Sequence, residues 1–117
     1  MTRLAFSIAT SDIVELKEAA ELLKTMWEAL GAQVTVRVFE IGDLNQNIIR
    51  PRKYDALFFG EIIGRDADPF AFWHSSQRLD PGLNIALYAN IKTDKLLEEA
   101  RTLSNNQERM IKYQTFQ

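Results

Sequence analysis

The sequence predicts an α/β fold: a mostly parallel sheet, built on a βαβ unit and flanked by helices, with residues 1–117 forming one domain. Three observations carry this. Two strand-like segments, LAFSIA (Leu4–Ala9) and QVTVRVF (Gln33–Phe39), flank a stretch of helical period, and an apolar run, YDALFF (Tyr54–Phe59), follows them. A chain of 117 residues has room for one hydrophobic core and no space for two.

Leu4 to Ala9 alternates apolar and small residues, as a short strand does. Asp12, with Glu15 three residues later, fits a capping box at a helix start. From there Leu16, Ala20, Leu23, Trp27 and Leu30 recur at three- and four-residue spacing, one apolar stripe on a helix that Gly31 stops. Val34, Val36 and Val38 then share one face of a strand, with Thr35 and Arg37 on the other. Strand, crossover helix and strand make a βαβ unit. Asp43 to Ile49 predicts a short helix capped by Asp43 and broken by Pro51. The apolar run ending at Phe59 suits a third strand covered on both faces. Asp68-Pro69 opens another helix, with Asp as cap and Pro at the first helical position. Phe70 and Trp73, three apart, are expected in the core, with Phe72 pointing elsewhere. Asn90 caps IKTDKLLEEARTL, which buries Leu96, Leu97, Ala100 and Leu103, and Asn105 with Glu108 forms a capping box before RMIKYQTFQ. The last helix ends at Gln117 with Ile111, Tyr113 and Phe116 still apolar, which suggests that something is missing after it.

Composition narrows the function classes. A net charge of −2 gives no clustered positive surface for nucleic acid, and the basic knot Arg50, Arg52, Lys53 beside a proline reads as a solvated loop. With no cysteine, disulfides and thiolate–metal sites are impossible. No run of about 18 apolar residues spans a membrane. The start, MTRLAFSIATSD, lacks a signal peptide's apolar centre and cleavage site.

Each candidate chemistry has a plainer alternative. His74, the only histidine, has Ser75 and Ser76 beside it and Asp66 and Asp68 upstream. Adjacent helical residues point about 100° apart, so His74 and Ser75 do not face each other as a nucleophile and base must. His74 is therefore expected on a helix surface and no catalytic residue is assigned. Asp66, Asp68 and His74 match no metal cage, and no metal or cofactor is expected. Gly60 and Gly64 are too sparse for a phosphate loop. Position is what remains. Ligands of open α/β sheets bind beyond the carboxyl ends of parallel strands, and the segment from Gly60 to Asp68 leaves the third strand there.

Three long stretches then show a likeness. ATSDIVELKEAAELLKTMWEALGAQVTVRVFEIGDL, YDALFFGEIIGRDADPFAFWHSSQ and LNIALYANIKTDKLLEEAR…ERMIKYQTFQ resemble, in this order, the C-terminal lobe of extracellular solute-binding proteins of the peptide/nickel type (family 5), which serve ABC importers. Tyr54-Asp55, Gly60, Asp68-Pro69, Asn84, Tyr88, Asn90, Asp94 and LLEEAR (Leu96 to Arg101) match that pattern. The resemblance implies a periplasmic-binding-protein-like lobe (type II), incomplete here, in a two-lobe protein that closes around its ligand. It implies a non-catalytic recognition lobe for a solute of peptide kind, an ABC permease as the parent's partner, and an extracellular or periplasmic, membrane-anchored parent. A fragment of this sort is expected to bind weakly alone and to self-associate through surfaces its neighbours would cover.

In peptide-binding members the residue after the strand-end glycine is a Trp that lines the pocket, and an acid in the next loop pairs with the ligand's amino group. Here Glu61 stands at the Trp position. Counting back from Pro69, Arg65 stands at the acid position, with Asp66 one residue later. The amine-pairing role passes to Asp66 through a one-residue shift, while Arg65 opens the alternative of an anionic ligand group. Ile91 replaces the usual proline after Asn90. Gly60, Glu61, Arg65 and Asp66 are thus the expected ligand contacts. The rival from another class is a stand-alone flavodoxin-like signalling or interaction domain, which would want an acidic pocket or a flavin-phosphate loop at the first strand's end. ATSD offers Thr10, Ser11 and Asp12 there but no glycine.

Overall fold

The computed structural model of the protein describes residues 2–64 and 68–117. The chain divides into two compact units, Met1–Ile62 and Ile63–Gln117. In the first, β1 (Ala5–Ser11), α1 (Val14–Ala29) and β2 (Gln33–Phe39) form the βαβ unit, and β3 (Ala56–Phe58) completes a three-stranded parallel sheet of order β2-β1-β3. The expected α/β class with a parallel sheet is what the chain adopts.

Burial on one sheet face follows from strand alternation. Ile8, Val34 and Ala32 form the core, and Phe6, Leu23, Trp27, Ala56 and Phe58 pack on it, so α1 covers this face. Phe6 and Trp27 meet with ring centroids 5.4 Å apart. Ala9 and Ser11, one residue out of step with Ile8, are buried on the opposite face. There α2 (Ile41–Asp43) runs on into a π-helical stretch, Leu44–Ile49, which buries Leu44, Ile48 and Ile49 and packs against β1.

Several expectations are corrected by tertiary bonds. The Asp12 capping box does not form: β1 runs on to Ser11, Asp12 gives its N–H to Phe39 O at 2.9 Å, and α1 starts after Ile13 without a side-chain cap. Leu30, predicted on the buried stripe, is 85% exposed, because the helix ends at Ala29 and the chain turns through Gly31 at φ +97°. Glu40, rather than Asp43, caps the next helix, its carboxylate accepting from the Gly42 and Asp43 N–H groups. The third strand is only half-buried and shorter than predicted. At its start the Asp55 carboxylate takes Ser7 N–H (2.9 Å) in place of a backbone carbonyl.

The second unit has α3 (Phe70–Trp73), a 3₁₀ turn (Ser75–Gln77), α4 (Ile91–Thr102) and α5 (Asn106–Phe116). Asp68 Oδ1 accepts the Phe70 N–H at 3.2 Å, but α3 starts one residue later than expected: Pro69, placed by the sequence at the first helical position, is itself the N-cap, because Trp73 N–H bonds its carbonyl. Asn90 and Asn105 cap α4 and α5 as expected. α4 buries Leu97 and Ala100 fully and Leu96 by half, ends one residue before the half-buried Leu103, and pairs with α5, tied by Lys112 Nζ to Glu99 at 2.6 Å.

Candidate ligand-binding site

In the first unit, the connection from β1 to β2 covers one sheet face and the connection from β2 to β3 covers the other, so the winding reverses between β1 and β3. A crevice beyond the carboxyl ends of two such strands is where open α/β sheets take ligands. Ser11 and Asp12 leave β1 at this end, and Gly60 and Glu61 leave β3. A Cβ added at Gly60 meets nothing within 4 Å, so the glycine leaves bare backbone at the rim. Glu61 is exposed, yet the desolvation it does undergo pushes its carboxyl above the usual range. The Tyr54 phenol is pushed up chiefly by burial, opposed by Arg52 and helped by the Glu61 charge. Arg65 and Asp66 lie outside the described residues.

Thr10 and Ser11, both fully buried, floor this end of the sheet and were not singled out as site residues. Thr10 Oγ1 donates to Phe58 O at 2.8 Å and pins β3 to β1. Ser11 Oγ accepts from Ile13 N–H at 3.4 Å and holds the exit loop. Two adjacent hydroxyl residues at a strand's carboxyl end are the signal that could have marked them. Together these groups offer exposed backbone and the Glu61 carboxylate, which desolvation pushes up, over a sheet end that the buried Thr10 and Ser11 hydroxyls hold in place. They suit a polar or cationic group rather than an apolar one.

The second unit carries an aromatic hollow of about 640 Å³, lined by Phe72, Trp73, Tyr88, Tyr113 and Phe116 among others. Trp73 is 38% exposed in it, which corrects its expected place in the core. Its ring meets Tyr88 edge-on at 5.9 Å. Phe70 does turn inward, stacked on His74 at 4.2 Å with the Arg101 guanidinium 4.3 Å over its ring. Arg101 also pairs with Asp68 at 3.0 Å.

His74 is buried, not on a helix surface as expected. It ends α3 and caps the 3₁₀ turn: Nδ1 accepts the Ser76 N–H at 3.1 Å and lies 2.7 Å from Ser76 Oγ. An imidazole nitrogen that accepts carries no proton, which places the proton on Nε2, 3.0 Å from Glu98 Oε1. The one lone pair of Nδ1 is thus engaged by a backbone donor. Ser75 Oγ donates to Asp94 Oδ2 at 2.6 Å, and the other oxygen of that carboxylate lies 4.0 Å from His74 Nε2. Asn84 completes the network, giving Nδ2 to His74 O (3.1 Å) and Tyr88 O (2.9 Å). Among the described residues, no group of three or more His, Asp or Glu side chains is placed to hold a metal ion.

No family model matches the chain. The oligopeptide-binding protein AppA of Bacillus subtilis (strain 168) is 25% identical over 114 residues, which are 96% of this chain and 21% of that protein. Its structure in complex with a nonapeptide superposes with a TM-score of 0.90 at 23% identity, covering 97% of this chain and 23% of that one. NikZ of Campylobacter jejuni, solved with Ni(L-His), gives 0.75 at 26% identity, again over 97% and 23%. The ABC transporter-associated periplasmic binding protein DppA of Helicobacter pylori, in complex with the peptide STSA, gives 0.81 at 19%, over 98% and 23%. The chain spans about a fifth of the length of the curated relative it matches. The resemblance read from the sequence is borne out: these neighbours are solute-binding proteins of the peptide/nickel ABC type, and the fold matches a stretch of their lobes.

Proposed function

We propose that this chain, kin to the peptide- and nickel-binding proteins of ABC importers, is the partial C-terminal, ligand-recognising lobe of such a protein. The observation that carries this is the sheet order β2-β1-β3 within a fold that superposes on a nonapeptide-bound relative at a TM-score of 0.90. Residues 1–117 contribute recognition and no catalysis. Gly60 and Glu61, at the carboxyl end of β3, are ligand contacts, and so are Arg65 and Asp66. Peptide is the ligand class favoured by the relatives' bound molecules and by Glu61, a carboxylate suited to an amino group. The parent works extracellularly or in the periplasm, anchored at the membrane, and hands its solute to an ABC permease. A second lobe supplies the other half of the contacts, so this chain alone binds weakly.

An NMR titration of the ¹⁵N-labelled chain with di- to nonapeptides at millimolar concentration tests this. Amide shifts are expected at Ser11, Asp12, Gly60, Glu61, Arg65 and Asp66, and Glu61→Gln should abolish them for peptides with a free amino terminus. Shifts confined to other parts of the chain, or none with any peptide, would refute the assignment of this loop.

A further inference from the structure

β2 is an edge strand. Gln33 gives its N–H to Leu4 O at 2.8 Å and Asp12 gives its N–H to Phe39 O at 2.9 Å, which bracket the parallel register with β1. In a parallel ladder the backbone groups of alternate residues face one neighbour. Gln33, Thr35, Arg37 and Phe39 therefore face β1, and Val34, Val36 and Val38 turn their N–H and C=O groups outward. Among the described residues no strand meets that outer edge. Val34 N–H meets the Glu28 carboxylate there, at a long 3.4 Å.

We propose that this edge docks a second copy of the chain, β2 pairing antiparallel with the partner's β2 about a two-fold axis at Val36. The register is self-complementary, as an interface between identical surfaces must be. Val34 lies opposite the partner's Val38, and Val36 opposite the partner's Val36, so every outward N–H and C=O finds a partner at once. The valines form one row on the face that already carries the core, which covers Val38, now 44% exposed. On the other face Arg37 lies opposite the partner's Thr35, so like charges do not oppose each other directly, and Arg37 stays stacked 5.0 Å over Phe39. The outer edge of β3 spans only Ala56–Phe58 and offers a shorter ladder. Glu28 guards the β2 edge, because its carboxylate must leave Val34 before the partner's carbonyl arrives. None of this depends on the ligand role proposed above.

Cysteine scanning tests the register, since the chain has no cysteine of its own. Thr35 and Arg37 are exposed, so substitutions there leave the core alone. Opposed across the axis they form a non-hydrogen-bonded pair with Cα atoms about 4.5 Å apart, within disulfide reach. Under mild oxidation Thr35→Cys/Arg37→Cys should give a covalent dimer, and neither single variant should cross-link. In sedimentation, Glu28→Ala should dimerise at several-fold lower concentration than the unsubstituted chain. Val38→Pro removes an outward N–H, keeps the ladder to β1, and should remain monomeric. Cross-linking of a single variant as readily as the double one would overturn the proposal. So would an unsubstituted chain that stays monomeric from micromolar to millimolar concentration.

Discussion

Replacing Asn84 by alanine removes one fully buried amide that makes three hydrogen bonds: Nδ2 to His74 O and Tyr88 O, and Oδ1 from Tyr88 N–H at 3.2 Å. A typical intramolecular hydrogen bond nets about 1 kcal/mol, but a buried group left without a partner costs about 1–3 kcal/mol. The His74 carbonyl belongs to a residue only 7% exposed, so water does not replace the amide there, whereas Tyr88 is 39% exposed and its groups rehydrate. Adding one full penalty to two ordinary losses gives a destabilisation of about 3–5 kcal/mol, a large part of the stability of a typical domain. Urea unfolding followed by Trp73 fluorescence measures it, with Trp27→Phe as background so that only one indole reports. Asn84→Asp should be at least as damaging, because it loses both donor bonds and buries a charge. An Asn84→Ala variant within about 0.5 kcal/mol of the background, at unchanged slope, would refute the role given to this amide.

Gly31→Ala should lower the stability of the first unit by about 1–2 kcal/mol, seen as a reduced thermal midpoint. The cause is backbone strain at φ +97° alone, since the new methyl meets nothing within 4 Å. Asp94 predicts an acid-side dependence. Burial would raise its carboxyl, but the Ser75 hydroxyl, the Ser75 N–H and the nearby His74 and Arg78 outweigh this and hold it below the usual Asp range. A depressed folded value means a contribution fully present above the ordinary Asp pKa of about 3.9 and lost as pH falls through the lower folded value. Ser75→Ala should flatten that decline. Glu99, lowered by its bond to Lys112, adds the same slope in both proteins and cancels, so an identical pH profile would refute the assignment.

Local rules made α1, β2 and the Asn90 and Asn105 caps legible, because each depends on residues within one or two turns. Tertiary bonds hid the rest. Asp12 could cap a helix, but its backbone is claimed by Phe39, and a single sequence does not show which competitor wins. His74 looked like a surface residue because its partners, Phe70 and Glu98, come from both sides of it and the latter is 24 residues away. For the site, the strand-end rule reached Gly60 and Glu61 because it needs only the end of an apolar run. Thr10 and Ser11 escaped because a hydroxyl inside a strand announces no partner, and Thr10's partner, Phe58 O, is 48 residues away.

The place of β1 in the sheet also orders assembly in time. It is the central strand, yet both of its neighbours follow it in the chain, and β3 meets it across a span of 48 residues. Closing that longer span costs more chain entropy than the β1–α1–β2 hairpin-like crossover, so the βαβ pair forms first and waits with one side of its middle strand bare. Until β3 arrives, Ser7 and Ala9 present open backbone to whatever strand comes by. Crowded synthesis should therefore penalise slow delivery of residues 56–58 more than any delay earlier in the chain.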